Sequence, residues 1–182
     1  ALLWFGGVTA TYTTMIWGAR VPSRVKVFCW LLLQNRVWSN DRLQRRGWPN
    51  GYFCQLCHRS LETSKHIIWE CPKAWSVWQQ VASWRGCSAF APKDEWRQKR
   101  PLLIIREIIN KAAPRERKGT KTIQLAACWE IWHERNRCTF QNKAASTSGI
   151  LRELRNSMEL WRLAGATILR APSGNHREIF GF

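Results

Sequence analysis

The sequence predicts a mostly α fold, and three observations carry that prediction. Apolar residues recur three and four apart along most of the chain, as in Val25, Phe28, Cys29, Leu32 and Leu33, or Leu102, Ile105, Ile108 and Ile109. Prolines open these segments (Pro22, Pro72, Pro101) and glycines close them (Gly47, Gly86). Between two such segments lie Cys54, Cys57, His66 and Cys71. Three thiolates and one imidazole are a complete tetrahedral set for a structural zinc ion. The fold class is therefore mostly α: a helical domain with a small irregular CCHC zinc-binding segment.

The elements follow in order. Leu2-Leu3-Trp4-Phe5 runs into Gly6-Gly7, and residues 8–14, β-branched and Thr-rich, read as a loop or marginal strand. Pro22 and Ser23 start a helix with Val25, Phe28, Cys29, Leu32 and Leu33 on its apolar side. Val27, Trp30 and Leu31 widen that side, which makes this the expected central helix. Ser39 or Asn40 caps a short helix through Leu43 to Arg46, ended by Gly47, with Arg42, Arg45 and Arg46 facing outward. Trp48-Pro49-Asn50-Gly51 is a turn that leads to the cysteines. Thr63 or Ser64 caps a helix carrying His66, and Cys71-Pro72 ends it and begins the next. That next helix shows Ala74, Trp75, Trp78, Val81 and Ala82 on one side.

Residues 87–101 are looser, broken by Pro92 and Pro101, and residues 114–121 form a basic linker with Arg115, Arg117, Lys118 and Lys121 against Glu116. A strong helix follows with Ile123, Ala126, Ala127, Glu130, Ile131 and Trp132. Ser146 or Thr147 caps a last helix carrying Ile150, Leu151, Leu154, Met158 and Trp161, and residues 171–182 read as a tail. The expected organisation is a zinc-binding domain core over residues 1–86, a basic linker region with a short helix over 87–121, and a C-terminal helical extension over 122–182.

The charge is lopsided: 29 Lys and Arg against 12 Asp and Glu, a net +17. Such an excess suits a polyanion, most simply nucleic acid, RNA or DNA. Eight of the basic residues fall between Arg20 and Arg59, with Asp41 the one acid there before Glu62. Seven cysteines are an odd number and a poor disulfide framework. With no secretory signal, the reducing interior of a cell, nuclear or cytoplasmic, is the expected compartment. Cys29, Cys87, Cys128 and Cys138 read as small buried hydrophobes. No apolar run approaches the roughly 18 residues of a membrane span. Ala1 and the absence of charge over residues 1–19 suggest a piece of a longer polypeptide. Most of the thirteen tryptophans are expected in the core. Trp38 and Trp48 flank Arg42, Arg45 and Arg46, an arrangement that suits base stacking, although core positions are favoured for both.

A closed Cys3His set leaves no coordination position for a substrate or an activated water, which argues for a binding module over a zinc enzyme. His58, beside Cys57, is expected to face outward. His133-Glu134-Arg135-Asn136-Arg137 lacks the second histidine of a metalloprotease helix and reads as a solvated, salt-bridged helix end, with Arg135 and Arg137 as secondary phosphate contacts. Two-metal chemistry requires clustered carboxylates, and the chain has two aspartates, Asp41 and Asp94. No catalytic residue and no small-molecule substrate are expected.

Longer stretches carry a resemblance. They are Ile16-Trp17, Val21-Pro22-Ser23-Arg24-Val25-Lys26-Val27-Phe28-Cys29-Trp30-Leu31, Asp41-Arg42-Leu43-Gln44-Arg45-Arg46-Gly47-Trp48, Cys54-Gln55-Leu56-Cys57, Glu62-Thr63-Ser64-Lys65-His66, Glu70-Cys71-Pro72 and Val77-Trp78. Farther on, Trp129-Glu130-Ile131-Trp132-His133-Glu134-Arg135-Asn136-Arg137 and Trp161 with Ala164-Gly165-Ala166 continue it. The chain resembles the zinc-binding domain that follows the reverse transcriptase in plant non-LTR (LINE-type) retrotransposons and their degenerate genomic copies. The resemblance implies an accessory module of a retroelement polyprotein, with zinc on Cys54, Cys57, His66 and Cys71. The expected function is non-catalytic nucleic-acid binding, with Arg24, Lys26, Arg42, Arg45 and Arg46 on phosphates. The alternatives are a structural module packing against the reverse transcriptase domain, or a decayed genomic fragment without activity.

Overall fold

The computed structural model describes residues 13–165. The Gly6-Gly7 pair, nearly all of the 8–14 loop or strand, and the 171–182 tail lie outside the described residues. After a π-helical turn at Thr13–Trp17, six α-helices follow in order: α1 Ser23–Leu33, α2 Asn40–Gln44, α3 Pro72–Arg85, α4 Pro101–Lys111, α5 Arg117–Gln141 and α6 Thr147–Leu163. The described residues contain no regular strand; their one β interaction is an isolated antiparallel bridge between Phe53 and Leu61. The mostly α expectation is borne out. No helix among the described residues is long and apolar enough to cross a membrane.

The punctuation works as its chemistry requires. Pro22 precedes α1, and its carbonyl accepts from Val25 N at 2.9 Å. Gly47 and Gly86 adopt left-handed φ of 74° and 58° after α2 and at the end of α3, where a side chain would strain the backbone. Ser146 caps α6, its hydroxyl accepting from Gly149 N at 3.1 Å. Ser39 precedes α2 but turns its hydroxyl to Asp41 Oδ1 instead of a free backbone N–H.

The central helix is α5, not α1 as the breadth of the α1 apolar face suggests. Val27 on α1 is exposed, whereas α5 is buried from Thr120 through Ile131 apart from half-buried Lys121 and Trp129. Small side chains explain this: Thr120, Thr122, Ala126, Ala127 and Cys128 let neighbours approach α5 from several sides. It packs against α1, α3, α4 and α6. Phe28 of α1 meets Trp129 edge-on at 5.3 Å and Trp132 at 5.7 Å. Cys29 Sγ donates to Leu125 O at 3.7 Å, and burial pushes the Cys29 and Cys128 thiols up, as inert core positions. α5 also begins at Arg117, so Arg117, Lys118 and Lys121 of the expected linker are helical.

The loose 87–101 segment supplies core. Its two 3₁₀ turns bury Phe90 and Trp96 against Trp78 of α3, at ring separations of 6.3 and 6.2 Å. Trp69, Trp78 and Trp96 are fully buried, while Trp30, Trp84, Trp129, Trp132 and Trp161 pack against the core's edge.

The largest departure from the sequence expectation lies in the 133–137 segment. Arg135 is not solvated: it is 2% exposed and paired with Glu62, which is 0% exposed. Arg135 Nε donates to both Glu62 oxygens at 3.1 Å, and its Nη2 donates to Glu62 Oε1 at 2.5 Å and to Asn40 Oδ1 at 3.1 Å. Glu62 also accepts from Asn40 N at 3.0 Å and Gln55 N at 3.4 Å. Arg135 lies four residues beyond Ile131 and so stays on the buried side of α5. Glu134 is buried as well, accepting from Ala145 N at 2.6 Å, Lys73 Nζ at 3.2 Å and Arg137. The solvated position expected for Arg135 is thus corrected; Arg137 stays partly exposed and makes an ion pair within the segment, to Glu134.

Arg135→Leu should cost about 3–5 kcal/mol, because it strands a buried carboxylate. Urea unfolding of the zinc-loaded protein measures the loss, and Glu62→Gln added to Arg135→Leu should recover part of it. Burial opposes ionisation of Glu134, but the Ala145 N–H and Lys73 outweigh it and hold the carboxyl below its ordinary value of 4.5. A depressed carboxyl stabilises fully above the unfolded value and loses that contribution as pH falls through the folded one. Glu134→Gln should therefore flatten the acid side of the stability–pH curve.

Candidate metal centre and basic surface

The first two cysteines sit at the tip of a short ribbon. Glu62 N donates to Tyr52 O at 2.9 Å, Phe53 bridges Leu61, and Cys54 N donates to Ser60 O at 2.9 Å. The chain then folds tightly: Leu56 N points at Cys54 Sγ (3.4 Å), and His58 N donates to Cys54 O (2.8 Å). His58 takes a left-handed φ of 53° to complete the turn and faces solvent, as expected of it.

The second pair comes from a helical junction. Thr63 Oγ1 accepts from His66 N at 3.0 Å, which bears out the capping role read from the sequence. His66–Glu70 is a π-helical turn that buries Ile67, Ile68 and Trp69 and ends when Cys71 N donates to His66 O at 2.8 Å. That i to i+5 bond widens the turn and draws residues 66 and 71 together. Cys71 is also the residue that caps α3. Two tryptophans on α3 lock the junction: Trp75 Nε1 donates to Trp69 O at 2.5 Å and Trp78 Nε1 to Ile68 O at 2.7 Å.

These elements bring the donor atoms of Cys54, Cys57, His66 and Cys71 within 4.8 Å of one another, with Cys57 Sγ 3.4 Å from His66 Nε2. Cys54 and Cys71 are fully buried, His66 nearly so, and Cys57 half-buried. Zn–S bonds of about 2.3 Å place tetrahedral sulfurs roughly 3.8 Å apart, so the set needs little contraction to close on an ion. The same proximity sets the thiols' acidities. Cys54 holds the proton it shares with Cys71, which together with burial pushes it up to about 12; Cys71 is pulled down by the same bond and by the N–H groups of Ala74 and Lys73. Three sulfurs this close with one imidazole suit a divalent, thiophilic ion.

The basic residues fall into two places. Arg42, Arg45 and Arg46 lie on α2 and the turn after it. Arg45 and Arg46 are exposed, with Arg45 Nη2 3.4 Å from Asp41 and Arg46 seated 4.5 Å over the Trp38 ring. Arg42 is half-buried and donates to Asn35 O. Arg24 and Lys26 belong to the first turn of α1, where Arg24 lies 6.0 Å over Trp129 and Lys26 Nζ donates to Trp17 O at 3.3 Å. The core positions favoured for Trp38 and Trp48 are overturned. Both are exposed, and their rings stack at 6.4 Å. Val37 and Ser39 on either side of Trp38 are the buried positions, and Gly47 just before Trp48 takes a left-handed φ.

The comparisons with known proteins agree with this site. Residues 2–78 match the family described as zinc-binding in reverse transcriptase. The match covers the segment that holds the metal site. The matched stretch contains all four donors, supports zinc as the cofactor, and bears out the resemblance read from the sequence over those residues. An Arabidopsis thaliana protein designated a candidate ribonuclease H protein is 32% identical over 89 residues, a stretch that covers 48% of this chain and 14% of the relative. No solved structure matches the chain significantly.

One zinc per chain is the expected stoichiometry by native mass spectrometry. Cys57→Ala should abolish it, and Cys138→Ala should leave it intact. Chelation should lower the unfolding midpoint yet keep most of the helical circular dichroism, because α1, α4 and α6, which pack on α5, carry none of the four donors.

Proposed function

We propose that this chain is a zinc-stabilised nucleic-acid-binding accessory domain of a retrotransposon reverse transcriptase polyprotein, non-catalytic by itself and acting inside the cell. The observation that carries this reading is the exposed basic surface of Arg45 and Arg46 on the turn that leads into the zinc ribbon, in a chain of net charge +17. Zinc on Cys54, Cys57, His66 and Cys71 fixes the ribbon, and the ribbon fixes α2 through the Glu62 to Asn40 bond. Arg45, Arg46 and Arg24 are exposed enough to reach phosphates, with Lys26 and Arg42 lending charge from half-buried positions. The designation of the Arabidopsis relative describes a protein about seven times longer than the matched stretch. Two-metal hydrolysis requires clustered carboxylates, which an acid-poor chain with two aspartates is badly placed to supply.

A second reading, a module that docks on the reverse transcriptase domain of the same polyprotein, is favoured by the exposed Tyr52, Phe53 and Leu61 on the ribbon. A salt series separates the two. The zinc-loaded chain should bind single-stranded RNA or duplex DNA with log K falling by about 0.7–0.9 per phosphate neutralised for each unit of log salt. Arg45→Glu with Arg46→Glu should shallow that slope by about 2, one unit for each arginine withdrawn from a phosphate. Weak, salt-insensitive binding would overturn the nucleic-acid reading in favour of docking.

A further inference from the structure

The Trp38–Trp48 pair has no role in the fold that its position explains. Both backbones are anchored. Val37 and Ser39 on either side of Trp38 are buried, with Ser39 N donating to Val37 O at 2.9 Å. Trp48 N donates to Leu43 O at 3.1 Å, and its carbonyl accepts from Asn50 Nδ2 at 3.1 Å. The side chains are nevertheless left in solvent, 47% and 62% exposed, with their rings within 8° of parallel. Exposing two indoles forfeits the stabilisation that burial brings, at about 25 cal/mol per Å². Arg46 lies over Trp38, and Arg45 is exposed one residue before it. Four of the six exposed Trp, Tyr and Phe residues among those described, Trp38, Trp48, Tyr52 and Phe53, fall on this one stretch beside the zinc ribbon; Trp17 and Phe140 lie elsewhere.

We propose that Trp38 and Trp48 form a stacking platform for an unpaired nucleobase, so that the ligand class is single-stranded nucleic acid. This rests on the nucleic-acid reading above and adds to it. Trp48, the more exposed of the two, takes the base and Trp38 backs it, while Arg46 over the Trp38 ring and the exposed Arg45 supply charge for phosphates along the strand. A duplex offers its phosphates to Arg45 and Arg46 but keeps its bases paired, so it gains nothing from the indoles. Flat aromatic faces accept any base, which makes the preference one of strandedness and not of sequence. The neighbouring cations suit an anionic ligand whose phosphates they pair while the indoles take its bases.

The test uses the full zinc-loaded chain and three probes of equal phosphate count: a single-stranded oligouridylate, the same backbone without bases, and a DNA duplex. The intact oligonucleotide should bind about 5- to 150-fold tighter than the abasic one, the range expected for stacking one base. Trp38→Ala or Trp48→Ala should erase that difference without changing the salt slope or the zinc stoichiometry, and Trp48→Phe should keep most of it. Duplex affinity should be unchanged by all three substitutions. Equal, salt-dependent binding of intact and abasic strands would overturn the platform and leave the phosphate-binding reading standing. Absence of salt-dependent binding to every probe would overturn both and mark the indoles as a protein contact.

Discussion

Glu62 is the point on which the assembly turns. Its carboxylate has no access to solvent, yet it accepts hydrogen bonds from three separate parts of the chain: the backbone of Asn40 at the start of α2, the backbone of Gln55 inside the metal knuckle, and the guanidinium of Arg135 on the central helix. A buried carboxylate is tolerable only with its charge compensated and its lone pairs occupied. Arg135 does the first, and the three donors together do the second. The ribbon is thereby oriented on α5 by directional bonds rather than by apolar contact, which would leave its rotation and register free. The basic turn after α2 inherits the same orientation, because Asn40 belongs to both.

Stability and placement are divided between two kinds of chemistry. The apolar core joins α1, α3, α4, α5 and α6 through large aromatic contacts such as Phe28 on Trp129 and Trp78 on Trp96. Around the cage, polar bonds dominate, and the backbone departs from regular structure to satisfy them. This explains why a chain with a full helical core still carries a metal motif: the segment between Trp48 and Thr63 buries little apolar surface of its own.

Much of this is legible in residue order. The proline and glycine punctuation places the starts of α1, α3 and α4 and the end of α3. The donor set is legible because cysteine at such spacing has few other uses. The residues whose surroundings differ from the sequence expectation share a physical reason. Composition favours a solvated Arg135, because charge is usually solvated, although its position four after Ile131 continues the buried side of α5. Composition likewise favours core positions for Trp38 and Trp48. Nothing in local sequence reports that Ser39 and Asn40 occupy the interior in their stead. The choice of α5 over α1 as centre depends on small residues, which hydrophobic periodicity undervalues.

The two halves of the cage differ in how much they bind the chain's length. Ser60 and Leu61 pair with Cys54 and Phe53 and His58 N closes the turn on Cys54 O, so it is at the exposed Arg59 between them that this loop can gain residues with least effect on the donors. The interval from His66 to Cys71 has no such freedom. One backbone bond spans it, Ile67, Ile68 and Trp69 within it are fully buried, and its last residue already belongs to the start of α3. Divergent copies of this chain are therefore free to drift in the spacing after the second cysteine, while a single insertion between the histidine and the third cysteine would rotate α3 out of the core.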